Sequence, residues 1–239
     1  MRSDAVQRVL ETEVTAARDR RGGQPPRVLD VGGGSGVWAV PLAAAGCRVT
    51  VIEPSPNALA TLHRRAQDAG VAELITAVQG DADALDVAAE SADLVLAHGL
   101  LEVVDDVPGS VAALTTAIAP GGALSVLVAN RYAAVLHRAL AGKLADARKL
   151  LDDPAGGLAE MGEPVLRRFD VPALTGVLTD AGLAVDVLQG HGVVSDMLPG
   201  SVLEATGAAE ALAELELAAA GRPPLRDVAA RLHALARRH

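Results

Sequence analysis

The segment Val28-Leu29-Asp30-Val31-Gly32-Gly33-Gly34-Ser35-Gly36 constrains this chain more than any other. An apolar run of strand length ends beside an acid, passes straight into a glycine loop and leads into a helical stretch. Glycines at 32, 34 and 36 belong where a turn demands positive φ and where backbone must approach a ligand with no Cβ in the way. A dinucleotide site of the GxGxxG form would place a small residue at position 37, letting the helix sit close to a pyrophosphate, but Val37 stands there. Asp30 argues the same way, since an acid is a poor neighbour for a pyrophosphate. It is suited to orienting the loop and a cationic ligand.

Around this segment, apolar runs of strand length alternate with helical stretches, the pattern of a parallel sheet covered by helices. Strands are expected at 27–31, 48–53, 74–79, 92–97 and 123–129, with helices at 37–45, 57–69 and 110–118 between them. Ala58, Leu62, Ala66 and Ala69 recur at helical spacing in the second of these helices. Burial on both faces explains why the strands are unbroken apolar runs. After Asn130 the rhythm changes to one basic helical insertion over 132–151 and a Gly/Pro-containing loop to Pro164. It resumes with a helix at 171–181, a strand at 184–189, a loop or short strand at 190–200 and a helix at 202–220. Residues 232–236 read as a closing edge strand on topological grounds. The expected architecture is a Rossmann-like, doubly wound, mostly parallel seven-stranded α/β sheet in one domain over 1–239. An N-terminal helix would occupy 1–26, a cofactor-binding core 27–130, a helical insertion 131–165 and the rest of the sheet 166–239.

Half of the 239 residues are hydrophobic, which excludes intrinsic disorder, yet Trp38, Tyr132 and Phe169 are the whole aromatic complement. So few rings count against modules that stack single-stranded nucleic acid on exposed aromatics. A net charge of -9 supplies no overall positive field for phosphates or an anionic membrane surface. Residues 66–130 hold ten acids and no Lys or Arg, whereas 131–149 hold Arg131, Arg138, Lys143, Arg148 and Lys149 against Asp146. That basic insertion fits either an anionic substrate or a solvated helix face. Cys47 is the only cysteine and the six His lack metal-ligand spacing, so neither a disulfide nor a metal site is expected. Met1 to Val14 carries no apolar run, and Pro120-Gly121-Gly122 divides the uncharged stretch 107–130 below membrane-spanning length. A cytoplasmic protein without a membrane span is expected.

Glu53 ends the second strand, 17 residues after Gly36, where a carboxylate can accept hydrogen bonds from both hydroxyls of a ribose. After the third strand, Gly80-Asp81-Ala82-Asp83 offers short side chains and carboxylates suited to an adenine edge. In this order and spacing, the glycine loop, Glu53 and Asp81 to Asp83 resemble the class I S-adenosylmethionine-dependent methyltransferases over Val28 to Asn130. The resemblance implies S-adenosylmethionine as cofactor, with contacts from Asp30, Gly32, Gly33, Gly34 and Gly36, ribose on Glu53, and adenine near Asp81, Ala82 and Asp83.

A longer likeness covers nearly the whole chain. His98 to Glu102 (HGLLE), Leu124-Ser125 through Asn130, Leu140-Ala141-Gly142, Asp180 to Leu183, Asp196 with Leu198, and Leu212 to Leu217 (LAELEL) are similar to the tRNA 5-carboxymethoxyuridine methyltransferases and their actinobacterial-type relatives. That family implies cofactor contacts from His98 and from an arginine before the first strand, matched by Arg2. Two departures weigh against a tRNA acceptor. Gly192 stands where the family carries an arginine, and Asp152 to Gly157 replaces a lysine-rich stretch.

A sulfonium methyl donor carries its own activation, so the protein mainly aligns nucleophile, carbon and sulfur. A carboxylate acceptor, already ionised at neutral pH, needs no general base, and no catalytic side chain is assigned. Arg131 and Tyr132, with Asn130 and Asp196 as orienting groups, are the candidate acceptor residues. The expected activity is O-methylation of a carboxylate or hydroxyl, with carboxymethoxyuridine in tRNA as one acceptor and an acidic small metabolite as the other. A catalytically silent cofactor-binding scaffold is the reading from another class.

Overall fold

The computed structural model describes residues 4–81, 88–157 and 166–238. In chain order its elements are α1 (Ala5–Arg20), β1 (Arg27–Val31), α2 (Ala39–Ala44), β2 (Arg48–Glu53), α3 (Pro56–Asp68), β3 (Ile75–Gln79), β4 (Ala92–His98), α4 (Val107–Ala117), β5 (Ile118–Ala129), α5 (Arg131–Leu140), α6 (Leu144–Asp152), α7 (Val171–Asp180), β6 (Leu183–His191), α8 (Ala208–Ala219) and β7 (Arg231–Arg238). The strands form one seven-stranded sheet in the order β3-β2-β1-β4-β5-β7-β6. β1 runs parallel to both β2 and β4, and β2 parallel to β3. The reversal of strand order beside β1 is the topological switch point where open α/β sheets bind ligands.

The chain divides into two compact units. The first comprises Leu10–Val126, Val177–Asp186 and Leu235–His239. Its central strands are buried almost throughout, with Leu94, Val95, Leu96 and Ala97 of β4 and Val31 of β1 fully enclosed, as their unbroken apolar runs require. α3 begins at a Ser55 cap, whose hydroxyl accepts from the Ala58 N–H, with Pro56 in the first turn. Leu59, Leu62 and Ala66 form its buried stripe. The fully buried Leu62 contributes about 2 kcal/mol of transfer free energy. The second unit comprises Met1–Val9, Leu127–Gly176 and Val187–Ala234, and includes α5, α6 and α8.

Four expectations change. The last strand is not an edge: β7 hydrogen-bonds between β5 and β6, and Leu232, His233, Ala234 and Ala236 are fully buried. Helical propensity of this Ala/Leu/Arg segment is overridden because a sheet position offers it two hydrogen-bonding neighbours and burial. The basic insertion is two helices, α5 and α6, separated by Ala141-Gly142-Lys143. The helix expected at 202–220 starts at Ala208, after a short 3-10 turn at Gly200–Glu204, because Gly207 adopts a left-handed conformation (φ 80°) that ends any earlier helix. Pro120-Gly121-Gly122 lies inside β5 instead of ahead of it. A Cβ at Gly122 would stand 2.9 Å from the carbonyl oxygens of Ala119 and Asp93, so the strand passes here only as glycine.

Candidate functional site

In the first unit, β1 ends at Val31 and the chain turns at once through Gly32, Gly34 and Gly36, whose φ values are 70°, 56° and 79°. The Gly32 N–H donates to the Ile52 carbonyl at 2.8 Å, holding the loop start against β2. Gly33 lies over Asp30: a Cβ there would come within 2.7 Å of the Asp30 Oδ2 and 2.8 Å of Val51. At Gly36 a Cβ would stand 2.2 Å from Leu62 of α3. The loop is therefore packed from beneath by its own strands and by α3.

Glu53 is 9% exposed at the end of β2. One carboxylate oxygen accepts from the Gly34 N–H and the other from the Ser55 N–H, each at 2.9 Å. Those two bonds fix the carboxylate against the loop and leave lone-pair capacity on both oxygens. Asp30 is 1% exposed, and its Oδ2 has no hydrogen-bond partner among the described residues. Burial, with the Glu53 charge as the smaller cause, pushes its carboxyl up from 3.8 to about 7. An orphaned carboxylate oxygen under a glycine loop is costly by itself, and it fits a ligand that brings a donor or a positive charge.

His98 closes β4, and its Nε2 is 2.8 Å from the Ser125 hydroxyl on the adjacent strand β5. The Trp38 ring meets the imidazole edge-on, with centroids 4.8 Å apart and planes at 88°. Neither Trp38 nor Ser125 figured among the sequence candidates. Ser125 had a legible signal: a lone hydroxyl within the apolar run Leu124 to Val128 must find a partner. Asp81 lies exposed just beyond β3, after Gly80, whose N–H donates to the Glu53 carbonyl. Arg2, Ala82 and Asp83 lie outside the described residues.

The acceptor candidates belong to the second unit, where each has internal work. Asn130 is 2% exposed and caps α5: its Oδ1 accepts from the Tyr132 N–H at 3.0 Å, and its Nδ2 donates to the carbonyls of Asp227 and Ala229 at 2.9 and 2.7 Å. Arg131 forms an ion pair with Asp170 and donates to the carbonyls of Leu151 and Asp153 at the end of α6. Its guanidinium also lies 4.9 Å from the centre of the Tyr132 ring. Asp196 sits on a 3-10 turn and lines a narrow cleft with His137, Val193 and Met197. Sequence reading missed what seats this turn. Glu216 of α8 accepts from three successive backbone N–H groups, those of Val193, Val194 and Ser195, at 2.7 to 2.8 Å. Among the described residues no group of His, Cys, Asp and Glu could hold a metal ion, and no helix is long and apolar enough to cross a membrane.

A mostly parallel sheet with this strand order, a glycine loop after β1 and a buried carboxylate at the end of β2 place the chain among the Rossmann-like α/β proteins. The family model described as a methyltransferase domain matches residues 29–126. A ubiquinone biosynthesis O-methyltransferase of Methylocella silvestris is 35% identical over 185 residues, covering 72% of this chain and 68% of that protein. The tRNA 5-carboxymethoxyuridine methyltransferase of Escherichia coli K12 is 30% identical over 139 residues, covering 57% of this chain and 52% of that protein. The chain thus spans between about half and two thirds of the length of these relatives. A crystal structure of an S-adenosylmethionine-dependent methyltransferase from Mesorhizobium loti has the same fold, with a TM-score of 0.62, 18% identity and 97% of each chain covered. This chain belongs to the S-adenosylmethionine-dependent methyltransferases.

Proposed function

We propose that the chain transfers the methyl group of S-adenosylmethionine to an oxygen of a small acidic or phenolic molecule. The observation that carries the choice of acceptor is the state of the basic insertion. Arg131 is paired with Asp170, Arg148 with Asp152 and Lys149 with Asp146, so most of the local positive charge is answered within the chain. A surface for a polyanion needs an excess of cations over acids to neutralise phosphates, and Arg148 and Lys149, though exposed, each stand beside an acid of α6. Gly192 in place of an arginine and the Asp152 to Gly157 segment support the same choice.

When bound, the cofactor would supply an electrophilic methyl carbon on a sulfonium, with the sulfur as leaving group, to a carboxylate or phenolate oxygen that is already ionised and has no proton to lose. The chain's own residues bind and orient. The loop from Gly32 to Gly36 admits the cofactor's amino-acid end, with the buried Asp30 carboxylate answering its positive charge. Glu53 accepts from ribose hydroxyls through the lone pairs left beside the Gly34 and Ser55 bonds. His98 flanks the cofactor, and Asp81, exposed just beyond β3, is the described residue assigned to the adenine end. Asp196 orients the acceptor, while Asn130, Arg131 and Tyr132 build the start of α5.

A tRNA acceptor is the second reading, favoured by the 30% identity to the Escherichia coli enzyme. Labelled S-adenosylmethionine offered with 3,4-dihydroxybenzoate, a small-metabolite extract, or tRNA lacking wobble methylation separates the two. Label in the small-molecule fractions is expected. Label confined to tRNA overturns the small-acceptor reading, and label nowhere, despite cofactor binding, favours a silent scaffold.

A further inference from the structure

We propose that Ser125 is a positioning residue for the cofactor site: its buried hydroxyl on β5, 2.8 Å from the His98 Nε2, and the edge-on ring of Trp38 together fix which edge of the imidazole faces the ligand. The inference rests on the reading that His98 contacts the cofactor and adds what makes that contact specific.

An imidazole at the end of a strand has two soft side-chain torsions, and its two nitrogens stand on different edges of the ring. Trp38 restrains the plane. It precedes α2, directly after the glycine loop, and meets His98 at 88°. A packed ring face still permits a flip about the terminal torsion, which would exchange a nitrogen for a carbon at each position. Ser125 removes that freedom. It is fully buried, where an unpartnered hydroxyl is costly, so the hydroxyl and Nε2 seek each other. β4 and β5 are hydrogen-bonded neighbours, which makes the pairing a property of the sheet rather than of a loop.

The chain's single tryptophan is one partner in this arrangement, so its emission reports the seating of the ring without any methyl acceptor. The test is a double-mutant cycle on the full chain with His98→Ala, Ser125→Ala and the combined variant. S-adenosylmethionine dissociation constants come from calorimetry, with Trp38 emission and a thermal melt recorded for each protein. Loss of one hydrogen bond that orders a ligand contact predicts about five-fold weaker binding for Ser125→Ala. His98→Ala is expected to weaken binding at least as much, and the double variant no further. Ser125→Ala should alter Trp38 emission in the His98 protein and leave it unchanged in the His98→Ala protein. Wild-type affinity in Ser125→Ala alongside weakened His98→Ala overturns the positioning role and spares the His98 contact. So does full multiplication of the two effects. Wild-type affinity in His98→Ala overturns the contact itself, and the positioning role with it. Should Ser125→Ala melt below the assay temperature, Ser125→Cys, of similar volume and with a weak donor, takes its place in the same cycle.

Discussion

Asp30 sets a pH dependence that can be worked out from its surroundings. Its carboxyl is raised from 3.8 to about 7, by burial first and by the Glu53 charge second. An acid whose pKa is higher in the folded chain keeps its proton there while the unfolded chain releases it. Stability therefore falls by about 1.4 kcal/mol per pH unit between the two values and is level above the upper one. From pH 5 to pH 8 the loss from Asp30 alone is about 2 to 3 kcal/mol. His233 acts oppositely in the acid part of this range. Burial, with His191 as the smaller cause, drives it down from 6.5 to about 3, so its share of stability is present above 6.5 and lost as pH falls toward 3. The wild-type curve mixes the two, and the informative quantity is a difference. Asp30→Asn should gain about 2 to 3 kcal/mol relative to wild type between pH 5 and pH 8, measured by urea unfolding at each pH. Any fixed cost of a buried amide cancels in that comparison. An equal difference between the proteins at both pH values, or one that moves the other way, would refute the upward shift of the buried Asp30 carboxyl.

Other perturbations follow from single contacts. Glu53→Gln removes the charge that accepts from Gly34 and Ser55 and should weaken S-adenosylmethionine binding by about ten-fold or more in calorimetry; unchanged affinity would sink its assigned role. Gly36→Ala brings a Cβ to 2.2 Å from Leu62 in a left-handed conformation and should cost about 2 to 4 kcal/mol in urea unfolding, with α3 displaced. Glu216→Ala leaves the N–H groups of Val193, Val194 and Ser195 without their carboxylate, so amide exchange there should accelerate; continued protection would show that packing alone seats the turn. Asp93 tests the opposite sign from Asp30. Burial raises its carboxyl, but hydrogen bonds from the Arg27 side chain and backbone, with the Arg27 and Arg21 charges, outweigh that and hold it below 3.8. Its contribution is present above the ordinary carboxylate range and lost in acid, so Asp93→Asn should flatten the acid limb of the unfolding profile.

Much of the first unit is written locally. β1 and β2 fall on the residues their apolar runs define, Ser55 and Pro56 mark the start of α3, and the glycine loop follows β1 as its composition requires. Each depends on neighbours within a few residues, which is the range over which periodicity, caps and turn chemistry act. The basic insertion shows where such reading stops. The charges of Arg131, Arg148 and Lys149 are visible in sequence, but Asp170 lies 39 residues from Arg131, and its approach decides whether that cation serves a ligand or the fold.

The sequence by itself determined the class of fold, the glycine loop and the carboxylate at the end of β2, because strand periodicity and glycine conformation are local properties. Tertiary structure alone decided that β7 is an interior strand, that Ser125 and Trp38 flank His98, that Glu216 seats the turn carrying Asp196, and that Asp30 is buried beneath the loop with an unmatched oxygen. Those facts depend on which distant segments become neighbours, and burial, which sets both pairing and ionisation, exists only once they have.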